Sequence, residues 1–199
     1  MSLYITVRSL ECLLAASLLL QTIEFLRLNS FADAHSVWTW KLQRNDVAHA
    51  APWIQTLFDW LFQDRVHQIH LLIRLGASAS LFFGVSTISA VFLFVSSIII
   101  LIRWRGAFNG GSDFMTMVVL TGLVISQLVK PLVGPVVAWT AGLWYITIHS
   151  ISSYFISGAI KLLSNDWRSG RVLTHFLDGG LYGPLSANSP FRRKEIAVI

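Results

Sequence analysis

Residues 139–164 hold the densest set of side chains able to donate, accept or carry a proton within an apolar run. At 100° per residue, His149, Ser150, Ser153, Tyr154, Ser157, Lys161 and Ser164 fall within about 140° of a helix circumference. The other arc carries Trp144, Ile148, Ile151, Phe155, Gly158, Ala159, Leu162 and Leu163, with Thr147 and Ser152 its only polar members, while Ile160 interrupts the polar side. The run is apolar enough to sit in lipid, where a polar face this long should point into a protein interior or cavity. This face is the candidate site. A second pattern, Asp64, His67 and His70 at i, i+3 and i+6, has a spacing that can gather ligands on one helix face. Hydration at the start of a membrane span explains it equally, and no metal is assigned. A single cysteine, Cys12, excludes an intrachain disulfide and a cysteine-based zinc site.

The elements that must position these residues are read from apolar runs and their breaks. Residues 10–26 form a first span, retained rather than cleaved, since Glu24, Phe25 and Arg27 stand where a small-residue cleavage site would be. Arg8 and Glu11, three apart, can pair at the headgroup level. Residues 29–49 are a polar connection bearing Trp38 and Trp40. In 51–62, Trp53, Ile54, Leu57, Phe58, Leu61 and Phe62 share one face, and the segment is too short to cross a bilayer. It reads as an interfacial amphipathic helix, with Pro52 in its first turn.

Residues 67–104 fit two spans with a tight turn at 84–87, and the small residues 76–80 offer a close helix approach. Arg74 either snorkels or pairs with Glu11 or Glu24. Residues 106–112 are a glycine-rich turn without the lysine of a phosphate loop, and Asp113 can cap the span 114–129, which ends at Lys130-Pro131 and the break Gly134-Pro135. The expected architecture is an all-α integral membrane protein, a bundle of about five transmembrane helices plus one interfacial helix over residues 1–170. A short soluble or interfacial tail follows over 171–199, containing a short amphipathic helix and the basic cluster Arg192-Arg193-Lys194.

Composition agrees. Of the 199 residues, 54% are hydrophobic and only 13% charged, against about 25% charged in soluble domains. The net charge of +5 sits at the ends of apolar runs, where it meets lipid headgroups rather than nucleic acid. With five spans, Arg8 and Lys130 stand almost alone on one side, and the positive-inside rule puts the C-terminus in the cytoplasm.

The segment YFISGAIKLLSNDWRSG resembles the signature of the HTTM (horizontally transferred transmembrane) superfamily, which includes the membrane part of vitamin K-dependent γ-carboxylases. The matching residues are Tyr154-Phe155, Gly158, Lys161-Leu162, Trp167 and Gly170, and the turn 109–113 is similar to the family's preceding connection. The resemblance implies Lys161 as the base that deprotonates a hydroquinone, with His149 and Tyr154 as helpers. It also implies Ser153, Ser157 and Trp167 beside the cofactor. A lysine in a dry pocket is pushed toward its neutral, basic form. Near a helix end it serves equally as an anchor to the dipole and the headgroups. The resemblance further implies an outward-facing lysine motif, opposite to the charge count.

The soluble substrate-recognition region of the carboxylases has no counterpart here. Small relatives instead include components that mature secreted peptides with separate proteins, and others that accompany quinone-linked oxidoreductases. Two functions are therefore expected: a subunit or accessory (maturation) component of a larger membrane complex, or a small membrane enzyme or quinone-binding protein acting through Lys161. The partners expected are membrane lipids and other protein subunits, with a quinone or bound lipid as the possible cofactor. The bacterial inner membrane is the expected location.

Overall fold

The computed structural model describes residues 2–31, 39–104 and 110–172, apart from a few side chains among them. The described residues are helical throughout, without strands. The order is α1 (Leu3–Phe31), α2 (Trp40–Gln43), a 3₁₀ turn (Arg44–Val47), α3 (Pro52–Leu61), α4 (Asp64–Ser80), α5 (Thr87–Trp104), α6 (Gly110–Val133), α7 (Pro135–Leu163) and α8 (Asn165–Arg168). Trp38, the glycine-rich turn up to residue 109, the tail helix expected beyond Val172 and the basic cluster lie outside the described residues.

Four helices, α1, α5, α6 and α7, are long and apolar enough to cross a membrane. The chain is an integral membrane protein. The fifth expected span corresponds to α4, which at 17 residues is shorter than the helices of that set and is polar on one side. The chain divides into two compact units, Met1–Thr147 and Ile148–Ile199.

In the first unit α4 packs on α1 and α5, and α5 packs on α6. Two apolar clusters form its core. One gathers Leu14, Leu18, Leu81, Leu93, Leu120 and Leu123, and the other Phe25, Leu71, Ile100 and Trp104. The Phe25 and Trp104 rings stack at 5.9 Å. Helix α4 is inside out: His67, His70, Leu71, Arg74 and Ser78 are buried, while Ile69, Leu72 and Ile73 are exposed. Water would favour the opposite arrangement, whereas hydrocarbon favours this one.

The turn between α4 and α5 centres on Gly84, whose φ of 126° suits only glycine. Arg8 and Glu11 hold it. Arg8 bonds Glu11 and donates to the Phe82 carbonyl, while Glu11 accepts from the Val85 N–H at 3.2 Å. The expected headgroup-level pair is thus a clamp: Glu11 is only 3% exposed. Before α4, Trp40 and Arg44 both bond Asp59, and Phe58 and Phe62 stack beside Trp40. The hydrogen bonds from Arg44 and Trp40 hold the Asp59 carboxyl below its usual range. The apolar face of α3 therefore divides, with Phe58 and Phe62 turned to Trp40, and Trp53, Leu57 and Trp60 exposed.

Two expectations change at α6. Asp113 lies within the first turn of the helix rather than capping it. The helix also continues through Pro131 to Val133, ending at Gly134 with φ of 80°, and Pro135 opens α7. Proline removes one N–H near the helix end, a loss the last turn tolerates better than the middle.

Within 76–80, Gly76 meets nothing within 4 Å, while Ser78 is buried and Ala77 packs on the apolar core; the closest glycine contact is elsewhere. It lies where α6 meets α7. A Cβ on Gly142 would stand 2.5 Å from the Gly122 carbonyl oxygen and 2.0 Å from Ser126 Oγ. Gly142→Ala is expected to cost about 1–3 kcal/mol by overpacking, lowering the unfolding midpoint in detergent by several degrees. Gly158→Ala, where nothing lies within 4 Å, serves as the neutral control. Equal midpoints for the two variants would refute the close contact.

Candidate functional site

The polar centre of the first unit is built on Arg74, whose side chain is fully buried. A guanidinium carries five N–H donors and no acceptor, so its burial demands oxygen atoms from several directions. Nε donates to Thr22 Oγ1 at 3.2 Å. Nη1 donates to Ser96 Oγ at 3.1 Å and to Ser97 Oγ at 3.0 Å, with the Leu93 carbonyl at 3.5 Å. Nη2 donates to Gln21 Oε1 at 2.9 Å.

The hydroxyls are prepared for this by their own helices. Thr22 gives its proton to the Leu18 carbonyl and Ser97 to the Leu93 carbonyl, so their lone pairs face the cation. Gln21 then turns the network toward α6, its amide nitrogen donating to Asp113 Oδ1 at 2.7 Å. One amide thus accepts from a cation and donates to an anion. Arg74 neither snorkels nor meets Glu11 or Glu24. It reaches a carboxylate only through Gln21, and Glu24 is exposed.

The polar stripe continues along α4. His70 Nε2 shares a hydrogen bond of 2.8 Å with Ser96 Oγ. His67 lies one turn earlier, its ring 5.8 Å from that of His70 and edge-on to Phe62. Neither nitrogen of His67 has a hydrogen-bond partner among the described residues. Both histidines are buried, which corrects their reading as hydrated interfacial groups, and Asp64 is exposed apart from them. No group of three metal-ligating side chains forms among the described residues. Beyond His67 opens a cavity of about 450 Å³, lined by residues that include Trp40, Lys41, Asp64 and Arg103. Arg103 lies 4.8 Å from the Trp104 ring and donates to Gln43 Oε1 at 2.7 Å.

The residues favoured by the sequence lie in the second unit, on the later part of α7. His149, Ser153, Tyr154, Ser157 and Lys161 are exposed, and Ser150 and Ser164 half-buried. The cavities described in this chain are lined by other residues. Lys161 and Trp167 do come together: Nζ lies 4.9 Å from the centroid of the indole. A cation over an indole is a favourable, locally anchored pair.

The Arg74 network escaped the sequence reading because its members come from four helices with no common spacing. A buried-side polar stripe on α4, with the hydroxyl pair Ser96-Ser97 in an apolar run, was the available signal. Removing one partner from a buried charge network costs about 3–5 kcal/mol. Arg74→Ala should therefore lower the unfolding midpoint by about 10 °C. Arg74→Lys should recover only part, since an ammonium has three donors on a narrower reach. A midpoint for Arg74→Ala within the scatter of the wild type would refute a load on this network. Comparison of the chain with family models, with characterised proteins and with solved structures finds no significant match to any of them.

Proposed function

We propose that this chain is a five-span membrane protein that works as a subunit or accessory component of a larger membrane complex. The observation that carries the second half of this reading is the polar face of α7. Ser153, Tyr154 and Ser157 are exposed within a helix whose composition suits lipid. Hydroxyl groups facing hydrocarbon are costly, and in membrane proteins such faces turn to protein or to water-filled space. A second protein would supply that cover. The Lys161–Trp167 pair supports a headgroup-level anchor for the helix end, in preference to a general base working with His149 and Tyr154.

The fifth span is supported by the inside-out burial of α4 and by its neighbours along α1. Leu71 of α4 clusters with Phe25, while the turn after α4 bonds Glu11. Between Phe25 and Glu11, α1 rises about 21 Å, most of a hydrocarbon core. The exposed Trp53, Leu57 and Trp60 of α3 suit the interface between headgroups and chains.

Two experiments test the proposal. Affinity purification from the native membrane in mild detergent should recover stoichiometric partners, and Ser153→Leu with Ser157→Leu should lose them while the protein level holds. Recovery of the chain alone would refute the subunit reading, and retained partners in the double variant would refute the α7 face as the docking surface. In the same strain Lys161→Ala should preserve pathway output. Separately, single cysteines at Gln63 and Ser86, placed in a Cys12→Ser background, should react with an impermeant thiol reagent from opposite sides of the membrane. Labelling from the same side would exclude α4 as a span.

A further inference from the structure

At the α4–α5 turn end of the first unit, two cavities of opposite chemistry adjoin. One, of about 340 Å³, is lined by Arg8, Glu11, Gln127 and Lys130 together with the turn at Gly84. The other, of about 310 Å³, is apolar, formed by Leu3, Pro135 and Val136. Tyr4, Val7 and Trp139 line both, so the two lie side by side between α1 and the start of α7, a polar and an apolar half of one amphiphilic region.

The polar half has unused hydrogen-bonding capacity. Gln127 is 5% exposed, and its side chain makes no hydrogen bond among the described residues. Its amide borders the cavity, where it can donate to a ligand's oxygen. The charges facing the recess are Arg8, Glu11 and Lys130. Arg8 and Glu11 neutralise each other, leaving the exposed ammonium of Lys130 as the net positive charge.

We infer that this recess binds an anionic phospholipid. Its phosphodiester would sit against Lys130 and the Gln127 amide, and its acyl chain would leave through the apolar half. One negative charge with several acceptor oxygens matches one cation and an amide donor. An apolar tail matches a groove walled by Tyr4 and Trp139, aromatic residues of the kind that favour the interface. A neutral quinone would use the amide and the groove but would leave the ammonium uncompensated. The inference rests on membrane insertion, not on the subunit reading, and holds whether or not a protein partner is found.

The test is native mass spectrometry of the detergent-solubilised full chain, titrated with phosphatidylglycerol and, in parallel, with phosphatidylcholine. The wild type should retain one phosphatidylglycerol in preference to phosphatidylcholine. Lys130→Glu, at an exposed position that leaves packing intact, should weaken that retention about tenfold, the cost of one charge-assisted hydrogen bond. Gln127→Leu should weaken it as well, with an unchanged unfolding midpoint as the check on folding. Lys41→Glu, at the separate cavity lined by Trp40, Asp64 and Arg103, should leave retention unchanged. Equal retention of the two lipids, equal loss in the Lys41 and Lys130 variants, or displacement of the lipid by a neutral quinone would each overturn the inference.

Discussion

The first unit is arranged around the cost of keeping one guanidinium out of water. Moving an ion into a low-dielectric interior costs several kcal/mol even after relaxation, and the return comes only with complete hydrogen bonding. Three helices contribute to that return for Arg74. Helix α1 supplies Thr22 and Gln21, α5 supplies Ser96, Ser97 and the Leu93 carbonyl, and α6 supplies Asp113 through Gln21. Each contact requires a particular rotation and height of its helix. Apolar packing among leucines tolerates sliding, whereas this network does not. The polar layer therefore sets register for the two leucine and aromatic clusters on either side of it.

The same constraint explains why α4 looks unlike the other long helices. A helix that buries histidine, arginine and serine cannot also be apolar overall, so its hydropathy falls below that of α1, α5, α6 and α7. Its lipid-suited surface is narrow, carried by Ile69, Leu72 and Ile73. Helix α4 is sheltered on its polar side by α1 and α5, and the Arg8–Glu11 clamp fixes the turn at its end. In this reading the short, polar helix is the centre of the unit rather than a peripheral addition.

Much of the architecture was legible in the sequence because its signals are local. Apolar runs, the break at Gly84, Pro52 at a helix start and the basic stop at Arg103 each depend on a few consecutive residues. The failures were of two kinds. Pro131 and Asp113 were read by local rules that the surrounding helix overrode, since a long apolar helix absorbs one proline near its end and continues through an aspartate that Gln21 bonds. Arg74 was noticed singly and the two histidines only with Asp64, but the hydrogen-bond partners of Arg74 and His70 lie 19 to 53 residues away. No periodicity within one helix encodes such a set. The close approach at Gly122 and Gly142 was missed for the same reason, because small residues mark a contact only when two helices bring them to the same height.

Two kinds of polar group in this membrane protein carry different meanings. The Arg74 contacts are saturated: the cation, the hydroxyls and the bridging amide use one another's capacity, leaving little for a ligand. Such a network specifies structure. The Gln127 amide at the edge of its cavity and the exposed hydroxyls of Ser153, Tyr154 and Ser157 on α7 still have hydrogen-bonding capacity to offer a ligand or a partner. In a medium without water that difference is sharper than in a soluble protein, because solvent cannot complete the missing bonds. Binding is therefore to be sought where polar capacity is left over, at the ends of the bundle and on α7. Arg74, charged and fully buried, instead holds α1, α4, α5 and α6 in register.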